Sequence, residues 1–379
     1  KHRDDVLWNP DEAKRQAKEE DEKRNKEALA AKFAHIKDDL GKEPWSCENQ
    51  GSLARLIGSL TPARDSSVPR KIVYVVKNIA YATEEETLMG NGVNLRTLTN
   101  DGGSAVISDY GAHLLRWAPA GQPDVIWTPR TWHFEAGQPV GGGVPVCFPW
   151  FGPGFVHGGQ TAKRPIHGFA RLRQWALDEG AFTGARVRYV LDSERLTTGE
   201  VPWIEDEPNV RFHAAYEVCA SDTLTMTLTV TNTGGEPMSY EAALHSYLHV
   251  GDVLGARLVG LRGATYLDAT EAGFPPKLQE QPSVMFGDQP VDRVYYSDAA
   301  LELQDHVLGR VIRIGKTGSP QTVVWNPGEQ GGNAIAHAKT GEWRGFVAVE
   351  AAACRDRIVA LSPGESYMLS QSIAVMPLG

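Results

Sequence analysis

An all-β fold, a large antiparallel β-sandwich preceded by a helical extension, is what this sequence predicts, and three observations carry the prediction. From residue 71 onward the chain is a succession of short segments in which apolar and polar residues alternate, separated by Gly, Asn and Asp. After residue 86 no stretch shows the apolar stripe of a long amphipathic helix. Strand signals therefore follow one another directly, whereas a parallel α/β sheet needs helices between them. The length, 379 residues, suits one large domain with an appendage, divided here into residues 1–70 and 71–379.

The appendage comes first. Residues 11–30 carry 13 charged side chains of both signs in 20 positions, with no Gly or Pro, as expected of a solvated helix supported by i,i+4 pairs. Asn9 is a good N-cap, Pro10 fits the first helical position, and Asp11 and Glu12 sit favourably at the positive end of the helix dipole. Apolar residues gather only at Leu29, Phe33, Ile36 and Leu40, one stripe that docks on something. Gly41 supplies a stop, and residues 42–67 read as an irregular linker rich in Pro, Gly and Ser.

The strands begin with the β-branched run Ile72–Val76 and are clearest from Thr223. There Leu224, Met226, Leu228 and Val230 alternate with Thr225, Thr227 and Thr229 before an Asn-Thr-Gly-Gly turn, so one face is buried and the other wet. Residues 185–191, 212–218, 321–328 and 345–352 give similar pieces. No repeat of solenoid or propeller length is present.

Composition excludes several functions. Lys+Arg number 38 against 47 Asp+Glu, a formal charge of -9, which offers no broad basic field to a nucleic-acid backbone. Cys47, Cys147, Cys219 and Cys354 form no CxxC pair, which argues against a zinc ribbon or a dense disulfide framework. No window approaches the apolar length of a membrane span. The chain opens on Lys1, which fits a trimmed chain or one matured by removal of a targeting segment; the expected location is the cytoplasm or an organelle, chloroplast or mitochondrion.

Chemistry concentrates in a few places. Gly141–Gly154, GGGVPVCFPWFGPG, is too rich in Gly and Pro for a strand interior and reads either as a structured loop beside a pocket or as an aromatic core cluster under a loop. His167 lies in HGFAR, four residues before Arg171. His245 and His249 share a face of a strand, so a metal pair was weighed, but no third ligand stands at zinc spacing. Glu350 interrupts the apolar run GFVAVEAAAC, and an acid there is costly to bury unless paired or functional. A carboxylate and imidazoles converging in a cleft are the equipment for proton transfer.

The segments GGGVPVCFPWFGP, HGFAR, ALHSYLHVGD, DRVYY, VVWNPG and FVAVEAA, in this order, resemble the glucose-6-phosphate 1-epimerases, the hexose-phosphate mutarotase branch of the aldose 1-epimerase family. The resemblance covers about residues 88–379 and leaves the N-terminal part unexplained. It implies a galactose mutarotase-like β-supersandwich that interconverts α and β anomers of a hexose 6-phosphate without cofactor or metal. Carried onto this chain, it implies His245 as general acid towards the ring oxygen and Glu350 as general base on the anomeric hydroxyl. It further implies His167 as a second pocket histidine, Asp292 as a holder of sugar hydroxyls and Arg171 as a residue available to the 6-phosphate.

Two positions depart from the family pattern. An Arg usual before GG[VI]P is Gly141 here, and a Gln usual before HGFAR is Ile166; Lys163, Arg164 and Arg173 are close enough in sequence to compensate. These departures and the charged helix motivate a second expectation, a catalytically weakened accessory subunit held in a protein complex through residues 1–67. A carbohydrate-binding protein that lost turnover is a third.

Overall fold

The computed structural model describes residues 93–131, 137–156, 159–196, 210–335 and 338–379. The expected N-terminal helix, the linker, the Ile72–Val76 run, the boundary at residue 70 and the partner-binding arm lie outside the described residues.

Two antiparallel sheets dominate. The first has nine strands in the order Ser283–Met285, Ala256–Val259, Leu301–Asp305, Arg310–Thr317, Ser366–Pro377, Thr223–Asn232, Phe212–Ala220, Arg186–Asp192 and Ala176–Leu177. The second runs Pro276–Leu278, Thr265–Asp268, Val291–Tyr295, Gln321–Asn326, Phe346–Ala353, Ala242–Leu244 and Val146–Cys147, with Tyr247–His249 also pairing with Phe346–Ala353. A smaller three-stranded meander, Leu95–Asn100, Gly103–Ser108 and His113–Pro119, is tied to the nine-stranded sheet through Asp109, which accepts from Arg96 and from the Tyr189 hydroxyl. Helix among the described residues is limited to the short turn Gly328–Gly332 and 3-10 turns, and none is long and apolar enough to cross a membrane.

The alternation read from the sequence is the alternation of burial. In Thr223–Asn232 the residues Leu224, Met226, Leu228 and Val230 are at most 1% exposed, each contributing ~1.5–3 kcal/mol of apolar burial. The intervening threonines form the outer row, where Thr227 and Thr231 pair with Ser370 and Ser366 across the ladder. Phe346–Ala353 behaves differently because all eight of its residues are buried. Its odd positions, Val347, Val349, Ala351 and Ala353, join the main core with Leu224 and Met226 of the other sheet. Even-numbered Ala352 belongs instead to a separate apolar patch with Cys354, Cys147, Ala243, Val294 and Val323. A strand covered on both faces reads as a continuous apolar run. Gln371 links the two sheets by donating to the Val349 carbonyl and accepting from the Ser246 hydroxyl.

The Gly-rich segment is irregular apart from Val146–Cys147, and the aromatic-core expectation for it holds in part. Phe148 and Trp150 are core residues, while Phe151 is half-buried with its ring 4.8 Å from that of His167. Gly143 has φ of +70°, and a Cβ there would lie 2.4 Å from the Leu114 carbonyl oxygen. Gly168, in HGFAR, has φ of +76°, and its Cβ would meet the Phe148 oxygen at 2.0 Å. Gly141 is under no such constraint, since only Ile335 Cγ2 would be near, at 3.3 Å. The backbone does not demand glycine at 141.

Candidate active site

The second sheet brings a histidine and a glutamate face to face by register alone. Leu244 pairs with Ala351 and Tyr247 with Ala348, so the two residues between them, His245 and Ser246, stand opposite Glu350 and Val349. The Val349 N–H donates to the Ser246 carbonyl at 3.0 Å, continuing the ladder across the break. Directly opposed residues share a face. His245 Nε2 accordingly lies 3.5 Å from Glu350 Oε1, too long for a strong hydrogen bond and short enough for strong coupling. Glu350 also pairs with Val323, and Asp292 with Trp325, on the same face two strands away. That face of Phe346–Ala353 also carries the small residues Ala348 and Ala352.

Around the pair, aromatic rings fix orientation. The His245 ring stacks on Tyr247 with centroids 4.7 Å apart and planes 12° from parallel, and Trp325 meets it edge-on at 5.9 Å. His167 lies edge-to-face with His245 at 5.5 Å. His167 adopts φ of +65°, a conformation rare for a residue with a large side chain, and is held there by its N–H to the Gly152 carbonyl. Its Nδ1 accepts from the Gly152 N–H at 3.2 Å, which leaves Nε2 to carry the proton of the neutral ring. Arg171 belongs to the 3-10 turn Ala170–Leu172 and donates Nη2 to the Ile166 carbonyl at 2.7 Å. Ile166 thus serves through its backbone.

Three polar atoms here are buried without a hydrogen-bond partner among the described residues: His245 Nδ1, Glu350 Oε2 and Arg171 Nε. Orphaned polar atoms are costly and rare in protein interiors, and three together mark a place built for something other than stability. Burial pushes His245 down to about 3, helped by the positive charge of Arg171. It pushes Glu350 well above the usual carboxylate range, an effect that Asp292 reinforces and Arg171 opposes. His167 is held well below the ordinary imidazole value by burial, then by Arg171 and His245. Asp292 is raised to about 6 by burial and by Asp268, with Arg355 pulling the other way. Among the described residues no group of three or more His, Cys, Asp or Glu side chains is placed to hold a metal ion. His249 is turned to other work, its Nδ1 lying 3.0 Å from the Asp124 carbonyl oxygen.

His245, Glu350, His167 and Arg171 therefore meet in one place, and Asp292 faces it from the same side of the sheet. The family model for aldose 1-epimerase matches residues 94–374. The chain belongs to the aldose 1-epimerase family. Relatives within the family include an Escherichia coli K12 protein named "Putative glucose-6-phosphate 1-epimerase", 30% identical over 64% of this chain and 77% of the relative. One of the same name from Cenchrus ciliaris is 26% identical over 71% of this chain and 80% of its own length. A crystal structure described as a "putative mutarotase" from Salmonella typhimurium superposes with a TM-score of 0.65 at 27% identity, covering 75% of this chain and 91% of that one. The described fold is thus that of an aldose 1-epimerase, whose family reaction is the interconversion of sugar anomers.

Three residues of this epimerase site escaped the sequence reading. Glu241 is 4% exposed and accepts three backbone N–H groups: Phe151 at 3.2 Å and Phe155 at 3.1 Å on Oε2, and Arg355 at 2.7 Å on Oε1. It ties the Gly-rich loop to the end of the central strand. Its signal was available, since Glu241 opens EAAL as Glu350 interrupts FVAVEAAA. Tyr247 was visible only once the 245/350 register was known. Arg355 had no signal, because its φ of +57° cannot be read from residue type.

Proposed function

We propose that this chain interconverts the α and β anomers of a hexose 6-phosphate, glucose 6-phosphate in the first place, with His245 as acid and Glu350 as base. The observation that carries this reading is the opposed pair itself, buried, 3.5 Å apart and with one polar atom on each partner left unpaired. The relatives named as glucose-6-phosphate 1-epimerases support the phosphorylated substrate.

The chemistry needs one proton shared by two groups. Glu350 takes the proton of the anomeric hydroxyl while His245 delivers one to the ring oxygen, and the hemiacetal opens to the aldehyde. Rotation about C1–C2 presents the other face of the carbonyl. On closure His245 recovers its proton from the chain hydroxyl and Glu350 returns one to the new anomeric oxygen, so the pair ends as it began. In this reading Asp292, on the same face of the sheet, holds ring hydroxyls, and the stack on Tyr247 keeps the imidazole in plane. The reactive form is the imidazolium–carboxylate pair; burial makes the neutral pair the lower in energy, so the single proton moves from Glu350 to His245 before the step begins.

Two-dimensional exchange NMR of glucose 6-phosphate with and without the protein tests the reading; no acceleration by a folded protein would end it. The pH dependence follows from the pair. A second proton is added only as pH falls towards about 3, and the last is lost only above the ordinary carboxylate range. In Asp292→Asn, which removes the group raised to about 6, the kcat/KM profile should therefore hold a plateau that runs well below the usual histidine value of ~6.5. An acid limb centred at that value in this variant would show His245 titrating as a solvated imidazole.

A further inference from the structure

Arg355 takes no part in the pair, yet its surroundings are built as carefully. It follows the central strand at φ of +57°, and Phe274, which faces it, has φ of +51°. Neither is glycine, and such backbone strain persists only where neighbours impose it. Glu241 imposes it on Arg355 by accepting its N–H, and the Glu271 carbonyl accepts the N–H of Phe274. The result is a guanidinium lying over two rings, its centre 4.2 Å from the Phe274 centroid and 4.7 Å from that of Phe155. Stacking holds the flat group while leaving its N–H edge for polar partners.

Among the described residues no group takes up that edge. Nε is buried without a hydrogen-bond partner. The adjacent Asp356 is engaged with Arg357 and with the Tyr296 hydroxyl, and among the described residues no carboxylate forms an ion pair with Arg355. The charge acts instead on Asp292 and Glu241. Arg171 acts on His245, His167 and Glu350, and has already given a donor to Ile166.

We propose that Arg355, clamped by Phe155 and Phe274, is the specificity-determining residue that receives the phosphate of the sugar phosphate. This rests on the hexose-phosphate reading given above. A planar fork with two or more free N–H donors matches phosphate oxygens in pairs, and pre-orientation by the rings reduces the entropy lost on binding.

The test compares Arg355→Gln with the wild type on glucose 6-phosphate and on free glucose. The ratio of the two kcat/KM values should fall by about 10- to 100-fold, chiefly through KM of the phosphorylated sugar. Equal losses on both sugars would overturn the proposal and make Arg355 a positioning residue for Asp292. If Arg355→Gln does not fold, Phe274→Leu should lower the same ratio by about 3- to 10-fold, and an unchanged ratio would overturn the proposal. Titration with inorganic phosphate, followed by NMR shifts of the intact protein, is independent of turnover. Phosphate binding that weakens with Arg355→Gln supports the site even if no sugar phosphate is turned over, in which case the hexose-phosphate reading fails alone. Undiminished phosphate binding by the variant overturns the site whatever the activity.

Discussion

Replacing Glu350 with glutamine is expected to slow anomer exchange by about two to four orders of magnitude and to leave the domain folded. The substitution keeps shape and volume in a position only 1% exposed, so no cavity opens and no packing is lost. It removes the one group in the pair able to take a proton from the anomeric hydroxyl, because an amide is not basic. Stability should stay within about 1 kcal/mol of the wild type, since Oε2 has no hydrogen bond to lose and burial already disfavours the charged carboxylate. Exchange NMR gives the rate and a thermal melt gives the stability. A wild-type rate in Glu350→Gln would remove Glu350 from the mechanism, and a collapsed melt would make it a structural acid.

Glu241 should show the reverse pattern. Glu241→Ala strands three backbone N–H donors that now share one carboxylate, in a place where water cannot easily replace it. Removing one partner from a buried charge-assisted network costs about 3–5 kcal/mol, which for a domain of this size lowers the melting temperature by roughly 10 °C. Glu241→Gln retains one acceptor oxygen and should recover about half of the loss. Activity should fall as well, because the released segments carry Phe151, Phe155 and Arg355. Denaturant unfolding of the three proteins decides it, and a Glu241→Ala loss below about 1 kcal/mol would mean that the loop finds other acceptors.

Much of the fold was legible because a strand with one wet face writes its geometry into every second residue. Thr223–Asn232 is the plainest case, with the predicted apolar residues buried and Thr227 and Thr231 on the other face paired with serines. His245 and Glu350 stood out for a related reason: polar residues in apolar strands are expensive, so each needs a cause. What could not be read was that the two are opposite one another. Register depends on hydrogen bonds between segments about a hundred residues apart, and local composition is silent about it. Backbone strain at His167, Phe274 and Arg355 was hidden in the same way, because it is imposed by partners such as Glu241 rather than preferred by the residues themselves. Glu241 was an omission of a different kind, since its cue matched that of Glu350.

The opposition of His245 and Glu350 across one ladder has a mechanical meaning. Their separation is set by backbone hydrogen bonds of the central strand, which is enclosed on both faces, and not by a hinge or a loop. The two groups cannot drift apart by degrees: either the ladder is intact and they face each other, or the middle of the sheet has opened. Loss of the proton-transfer geometry on heating is then the same event as the melting of the sandwich, with no softened, half-active form between them.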